Sequence, residues 1–225
     1  MLSINTIVVP QGAEYQAVCR GLAKAGQENV QIISIPIGVC QLNQVMADYG
    51  SVIDNDKNIL ILGLCGSLTK AHCLGDLVLV PSCIDLSHNK IDLDAELTAE
   101  IQHQLDIKTA IGLTSDRVIT QAASKLDLAQ QYAATIVEME GYSYVQELQR
   151  RDKSVAMLRV VSDDLSGDLP NLNQAIDSQG NLQTLPMAIA LLKQPLAAVR
   201  LIKGSLAGLK KLEQLTTKLF TVSFD

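Results

Sequence analysis

The fold is decided by two stretches, Ile136-Val137-Glu138-Met139-Glu140-Gly141 and Val155-Ala156-Met157-Leu158-Arg159-Val160-Val161-Ser162-Asp163. Each is a short apolar run, typical of a buried strand, that stops at a carboxylate: Glu140 in the first and Asp163 in the second. A carboxylate at the end of an apolar strand is costly to desolvate unless it has a partner or a task. In open α/β sheets, ligands bind at the carboxyl ends of strands. We therefore expect a site with two acidic groups, suited to a polyol and a basic heterocycle.

The rest of the chain alternates β-like runs with helical stretches, which predicts a largely parallel sheet covered by helices on both faces. Strands are predicted at 4–10, 30–35, 58–62, 77–82, 109–113, 135–137 and 155–161. Helices are predicted at 14–25, 42–50, 95–105, 121–131 and 141–151, and a polar loop at 162–183.

The length and composition indicate a single-domain protein with an aliphatic core. With 225 residues the chain suits a single domain, 1–225, and with two Phe and no Trp its core must be aliphatic. A net charge of −6 argues against a nucleic-acid-binding protein. We expect neither a signal peptide nor a membrane span.

The cysteines predict a reducing environment. Their number is odd and no Cys-x-x-Cys pair occurs, so we expect free thiols in the cytoplasm rather than a disulfide framework or a zinc site. The five are Cys19, Cys40, Cys65, Cys73 and Cys83.

The segment 181–225 has its own pattern and is predicted to be an amphipathic helical segment. Residues 193–218 carry six basic residues and one acid, and Pro195 is placed where a second helix would begin. Lys210 and Lys211 are expected on a solvated face. Two interpretations stay open: a surface for packing or oligomerisation, and a basic amphipathic helix on an anionic membrane. The apolar repeat consists of Leu192, Leu196, Val199, Leu206, Leu209, Leu212, Leu215 and Leu219.

Three further motifs are weak when taken singly. Gly63-Leu64-Cys65-Gly66-Ser67-Leu68 follows a predicted strand and predicts a tight turn with backbone N–H groups near a ligand. It lacks the Gly-x-Gly-x-x-Gly spacing of dinucleotide-binding proteins. A dinucleotide-dependent oxidoreductase would therefore fit the predicted layers of helices and strands, but its binding motif is missing. Glu14 alone suits the first turn of a helix. Ser115-Asp116-Arg117 alone resembles a polar loop that opens a helix.

Taken in order, these pieces resemble the nucleoside phosphorylase and nucleosidase superfamily, and most of all its methylthioadenosine/adenosylhomocysteine nucleosidase branch. The resemblance runs from Ile4 to Asp163 and includes Leu74-Gly75-Asp76-Leu77-Val78-Leu79-Val80. Its most specific elements are Val137-Glu138-Met139-Glu140-Gly141 and Arg159-Val160-Val161-Ser162-Asp163. It implies a three-layer α/β/α sandwich with a central mixed, mostly parallel twisted sheet.

The resemblance also implies roles for matched residues. Asp163, beside Ser162, would protonate N7 of a leaving purine, and Glu14 would deprotonate the attacking water. Glu140, with Glu138 nearby, would hold the ribose hydroxyls above Met139. The remaining contacts to ribose and base are implied near Cys65, Gly66, Val118 and Ile119. A leaving base needs an acid and the nucleophile needs a base, so the two carboxyl groups must differ in pKa.

Two departures from the family pattern bear on the reaction. Phosphorolytic members bring arginines to a phosphate, whereas Pro10-Gln11-Gly12-Ala13-Glu14 has none, which favours hydrolysis over phosphorolysis. The family pattern has an aromatic side chain that stacks on the base near residue 118. This chain has Val118 and Ile119 there instead. The alternatives are a phosphate-dependent phosphorylase and a nucleoside-binding module without chemistry.

The C-terminal part resembles the hopanoid-associated phosphorylase branch in Asp168-Leu169-Pro170, Gly180-Asn181-Leu182 and the segment after Pro195. That resemblance implies an adenosine attached to an apolar lipid as one substrate. Overall we expect a cytoplasmic homodimer or higher homo-oligomer that acts on a small-molecule nucleoside. Neither a metal nor an organic cofactor is implied, and the C-terminal segment has a possible contact with a membrane.

Overall fold

The protein is described here by a computed structural model that covers residues 4–39 and 41–221. Eight strands and eight helices alternate along it. The strands are β1 Thr6–Pro10, β2 Gln31–Ile35, β3 Asn58–Ser67, β4 Leu77–Ile84, β5 Lys90–Asp92, β6 Lys108–Thr114, β7 Ile136–Glu138 and β8 Ser154–Asp163. The helices are α1 Ala13–Lys24, α2 Leu42–Asp48, α3 Gly50–Asn55, α4 Ala95–Leu105, α5 Ala122–Tyr132, α6 Gly141–Arg150, α7 Thr184–Lys193 and α8 Pro195–Phe220.

The strands form one mixed, mostly parallel sheet, as predicted. Pairs β1–β2, β1–β3, β3–β8, β4–β6 and β6–β7 are parallel, and β3–β7, β4–β5 and β4–β8 are antiparallel. The pairing runs β3–β8–β4–β6–β7 and returns to β3, so five strands close a ring. β1 and β2 extend the sheet from the ring on one side, and β5 extends it on the other.

Two aliphatic cores separate the sheet from its helical layers, which confirms the three-layer arrangement. Side chains alternate between the faces of a strand, so Ile59 and Ile61 of β3 join one core while Leu60 and Leu62 join the other. Helices α2, α3 and α6 cover the first core, and α1, α4 and α8 cover the second. The core is aliphatic, as the composition predicts.

The prediction of a tight turn at 63–68 is wrong. β3 continues through Ser67 and pairs with β8 as far as Gly66, with a register shift between Cys65 and Gly66, while Gly66 and Ser67 also pair with β7. The strand therefore gains a further partner within this stretch. Glycine-rich sequence in a strand marks a bulge or a close approach of other atoms, and both occur here.

Smaller differences concern strand β5, which sequence analysis missed, and the helix predicted at 42–50. That helix ends at Asp48, and a second short helix, α3, begins at Gly50. The predicted loop after β8 contains one turn of 3-10 helix, Asn173–Ala175. Among the described residues, no helix is long and apolar enough to cross a membrane.

The C-terminal segment forms two helices, and the second begins at Pro195 as predicted. Its apolar repeat divides in the middle: Leu212, Leu215 and Leu219 are buried and Leu209 is half-buried, whereas the earlier members are exposed. Lys210 and Lys211 are both exposed. Cys19, Cys65, Cys73 and Cys83 are free thiols, and Cys40 lies outside the described residues.

Candidate active site

All ten residues named as site candidates from the sequence line one cavity of about 170 Å³. The cavity opens at the carboxyl ends of β1, β3, β7 and β8. The candidates are Glu14, Cys65, Gly66, Val118, Ile119, Glu138, Met139, Glu140, Ser162 and Asp163, and the lining also includes Pro10, Ile37, Leu64, Arg117 and Val137.

Glu14 lies in the first turn of α1, where a carboxylate suits the helix dipole. Its Oε2 accepts a hydrogen bond of 2.6 Å from the backbone N–H of Leu64 in β3. Burial raises the pKa of Glu14 to about 7, against the hydrogen bond from Leu64 and the positive charge of Arg159. A carboxyl group with this pKa is able to take up or release a proton near neutral pH.

Glu138 and Arg159 form the buried base of the cavity. Arg159 Nη2 lies 2.6 Å from Glu138 Oε2, and both side chains are inaccessible to solvent. The same Glu138 oxygen accepts the N–H groups of Glu140 and Gly141 at the start of α6, and its other oxygen accepts the Thr114 hydroxyl. These contacts use both oxygens of the Glu138 carboxylate, so its geometry suits a role in positioning Arg159 and the start of α6. The contact of Glu138 with substrate that the sequence analysis predicts stays a prediction.

Glu140 faces the cavity from the N-terminus of α6. Its Oε1 accepts a hydrogen bond of 2.9 Å from the N–H of Gly38, and its Oε2 lies 3.9 Å from Arg159 Nη2. Burial, and then the negative charge of Glu138, raise the pKa of Glu140 to about 7. Three carboxyl groups thus surround one guanidinium, which raises the pKa of Arg159 despite its burial.

Asp163 ends β8 and forms an ion pair with Lys125, a lysine of α5 whose side chain is only 1% exposed. Lys125 Nζ also donates to the carbonyl of Asp164 at 3.4 Å, and Ser162 Oγ lies 3.3 Å from Asp163 Oδ1. Burial raises the pKa of Asp163, while the ammonium of Lys125 opposes the rise. The sequence analysis named Asp163 but missed its partner.

Two glycines of β3 make room for these side chains. A Cβ at position 63 would overlap Arg159 Nη1 and come within 2.9 Å of Glu14 Oε2. A Cβ at position 66 would come within 2.8 Å of Asp163 Oδ2. Real Cβ atoms do not tolerate such distances, so these positions require glycine for packing reasons. The motif lies at the cavity as part of a strand and not as a turn.

The rim of the cavity carries Arg117, whose side chain is 69% exposed and 3.8 Å from Asp116. Among the described lining residues Arg117 is the one cation, since Arg159 and Lys125 lie behind the carboxylates.

Cys65 is buried, and burial raises the pKa of its thiol, so the thiol stays protonated. The backbone N–H of Val118 is held by Asn173 Oδ1 at 2.9 Å.

The arrangement provides an acid and a base in different surroundings. Glu14 lies near Arg159 and Glu138 and has a pKa raised to about 7 by burial, whereas Asp163 is paired with the buried side chain of Lys125. Pairs of carboxyl groups with distinct environments are the usual basis for assigning acid and base roles.

Comparisons with known proteins identify the family and the fold. The family model described as the phosphorylase superfamily matches residues 22–192. A futalosine hydrolase of Thermus thermophilus is 26% identical over 164 residues, which cover 63% of this chain and 73% of the relative.

Solved structures share the fold over nearly the whole chain. A Helicobacter pylori 5′-methylthioadenosine/S-adenosyl homocysteine nucleosidase, solved with a pyrrolidine-containing ligand, superposes with a TM-score of 0.65 at 17% identity, covering 98% of this chain and 97% of its own. The native futalosine hydrolase of the same organism gives a TM-score of 0.64 at 19% identity, covering 97% and 95%.

Proposed function

The chain belongs to the phosphorylase superfamily, and from this premise we propose that it is a nucleosidase, an enzyme that hydrolyses the N-glycosidic bond of a nucleoside. The substrate we propose is an adenosine-type nucleoside with a substituent at the 5′ position. The observation that carries the proposal is that Glu14, Glu140 and the Asp163–Lys125 pair line one cavity.

In this reaction the Asp163–Lys125 pair supplies a proton to N7 of the leaving base. Burial raises the pKa of Asp163 and so favours its protonated form, while the positive charge of Lys125 opposes this rise. Transfer to N7 leaves Asp163 as a carboxylate that solvent then reprotonates. A positioned acid of this kind is typically worth about 10²–10⁴-fold in rate.

The other carboxyl groups act on water and on the sugar. Glu14 in its ionised form takes a proton from water as the water oxygen bonds to C1′ and the C1′–base bond breaks. Glu140 accepts hydrogen bonds from the ribose hydroxyls, and Met139 packs against the sugar. Cys65, Gly66 and Ser162, with Val118 and Ile119, border ribose and base.

The charges of the cavity support water over phosphate as the nucleophile. Three carboxyl groups, Glu14, Glu138 and Glu140, surround the single buried guanidinium of Arg159. Such an excess of negative charge stabilises an oxocarbenium-like sugar and repels a phosphate anion. Arg117 on the rim is the group that a phosphorolytic alternative would use.

The size of the cavity and the similar proteins bear on the 5′ substituent of the substrate. The cavity is smaller than the roughly 300–1,000 Å³ typical of pockets for drug-sized ligands, so part of a large substrate would extend beyond it. Arg117, Val118 and Ile119 also line an adjoining depression. The similar proteins are named for futalosine and methylthioadenosine; an adenosine attached to an apolar lipid is the further candidate implied by the C-terminal resemblance.

The test measures release of free base from methylthioadenosine, adenosylhomocysteine, futalosine and a lipid-linked adenosine, with and without phosphate. We expect release without phosphate and free pentose as the second product. Asp163→Asn should abolish release from purine nucleosides but retain it from a p-nitrophenyl riboside, whose leaving group needs no proton.

Two results would overturn the proposal. Strict dependence on phosphate, with a sugar 1-phosphate as product, would make the protein a phosphorylase. Calorimetric binding of purine nucleosides without any base release would make it a binding module.

A further inference from the structure

The C-terminal helices α7 and α8 present an apolar face that nothing in the described structure covers. Helix α7 has an apolar sequence, Thr-Leu-Pro-Met-Ala-Ile-Ala-Leu-Leu-Lys, yet none of its residues is buried. Leu185, Leu192 and Leu196 are 71%, 81% and 83% exposed. We define the uncovered face by Leu185, Ile189, Leu192, Leu196, Val199, Ile202 and Leu206.

The spacing within α8 shows that this face is separate from the one that packs on the sheet. Leu196, Val199 and Leu206 recur at i, i+3 and i+10, which places them on one side of the helix. The residues buried against the domain lie on the opposite side; in the same part of the helix they are Ala198, Gly204 and Gly208. The first half of α8 is therefore apolar on two sides, and only one has a partner.

Positive charge accompanies the uncovered face. Lys203 and Lys210 continue the stripe at i+7 and i+14 from Leu196, and Lys193 and Lys211 flank it. The sequence has no acidic residue between Asp177 and Glu213, although the whole chain has a net charge of −6. Within residues 4–39 and 41–221 these four lysines make no ion pair.

We propose that the uncovered face of α7 and α8 docks on an anionic lipid surface. Exposed apolar side chains together with lysines are the composition of helices that lie in the interface of such a membrane. A second copy of the chain fits less well, because a two-fold contact would bring the lysines of one copy against those of the other. Lipid headgroups instead supply the negative charge that the lysines lack.

The docked face lies beside the candidate active site. The inner side of α8 touches the strand that carries Asp163, since a Cβ at Gly204 would overlap the carbonyl of Ser162. Leu196 and Arg200 line a depression together with Thr120 and Gln121, which directly follow the cavity residues Val118 and Ile119. Docking would therefore bring this side of the cavity close to the membrane.

The experiment is co-sedimentation of the full chain with vesicles of phosphatidylcholine alone and of equal parts phosphatidylcholine and phosphatidylglycerol. We expect binding to the anionic vesicles and a loss of at least tenfold in Leu192→Ser/Leu196→Ser. Lys203→Gln/Lys210→Gln should also lose binding, and salt should weaken it in the wild-type protein.

Matched controls alter the same residue types elsewhere. Leu126→Ser removes an exposed leucine of α5, and Lys57→Gln/Lys70→Gln removes two exposed lysines; both should bind like the wild type. Circular dichroism and the unfolding temperature check that every variant is folded. The proposal is overturned if the wild type does not sediment with anionic vesicles, or if the controls lose as much binding as the face variants. A molecular mass in solution that falls in Leu192→Ser/Leu196→Ser, without vesicle binding, would assign the face to self-association.

Discussion

The proposed acid chemistry depends on the ion pair of Lys125 with Asp163. Lys125 was missed because lysine is usually a surface residue of a helix. A signal was nevertheless available. Leu128, Ala129 and Tyr132 lie three, four and seven residues later, so Lys125 occupies the apolar side of α5.

Replacing Lys125 tests whether the pair is the source of the proton. In Lys125→Arg the guanidinium can donate two hydrogen bonds to the Asp163 carboxylate, which stabilises its ionised form more than lysine does, so base release from purine nucleosides should fall about 10²-fold or more. In Lys125→Met, Asp163 holds its own proton below its raised pKa, so activity should persist at acidic pH and fall as the pH rises. The measurement is kcat/KM against pH.

A p-nitrophenyl riboside is the control for the lysine variants, because its leaving group requires no acid. Both variants should cleave it at the wild-type rate if the cavity is intact. Wild-type rates of purine release in Lys125→Arg would exclude the pair as the proton source.

Glu14 gives a second prediction for a single residue. Its pKa of about 7 means that the ionised form, which is the proposed base, is lost on acidification. We expect kcat/KM to rise with pH through about 7 in the wild type, and Glu14→Gln to lose about 10²–10⁴-fold in activity above that pH and less below it, where the wild-type carboxyl group is itself protonated. A wild-type pH profile that survives in Glu14→Gln would assign the titration to another group, with Glu140 the first candidate.

Among the secondary-structure elements, β3 departs most from what sequence patterns predict. Seven of the eight strands were predicted from apolar runs in the sequence. A strand buried between two helical layers consists of a continuous apolar segment, which is easy to recognise. The stretch 63–68, of which residues 63–67 belong to β3, was predicted as the wrong element. Local glycine content indicates a turn, whereas the strand is continued by pairing with β7, which lies far away in the sequence.

The glycines of β3 can be tested by adding one methyl group. Gly63→Ala would push against Arg159 Nη1 and so displace the guanidinium, whose Nη2 lies beside Glu138 and Glu140, so both activity and thermal stability should fall. Gly112→Ala in β6 is the matched control, since its nearest neighbour would be Val80 Cγ1 at 3.3 Å. Equal losses in both variants would mean that β strands of this sheet tolerate no alanine, whatever lies beside them.

At the scale of the whole molecule, the layers of the fold and the ten candidate residues that line the cavity could be predicted from the sequence. The closed ring of five strands and the ion pairs of the buried side chains could not. Residues 14, 140 and 163 follow strands, so a sheet with a common carboxyl edge brings them together. Partners such as Lys125 come from tertiary packing. The homo-oligomer and the cytoplasmic location stay predictions.

The buried carboxyl groups also affect global stability. Glu14 and Glu140 have pKa values raised from 4.5 to about 7, so the folded state binds their protons more tightly than the unfolded chain does. Their contribution is therefore most favourable below the unfolded pKa and is lost as the pH rises towards 7. Glu140→Gln should increase the free energy of unfolding at about pH 8 by about 1–3 kcal/mol and change it little at about pH 4.

Urea unfolding at the two pH values measures this effect, and Glu147→Gln on the outer side of α6 is the matched control. A Glu140→Gln protein less stable than the wild type at the higher pH would show that its contact with Gly38 outweighs the penalty of burying its charge.

The closed ring of five strands has a consequence for the order of folding. β3 pairs with β7 and β8, which are synthesised much later, and contacts of such long sequence separation form slowly because a large loop must first close. A growing chain that has reached residue 150 already contains Glu14 and Glu140 but lacks Asp163 and the strand that brings Arg159 between the carboxylates. If the proposed roles are correct, catalytic competence requires the insertion of β8, and a partly made chain should have no nucleosidase activity.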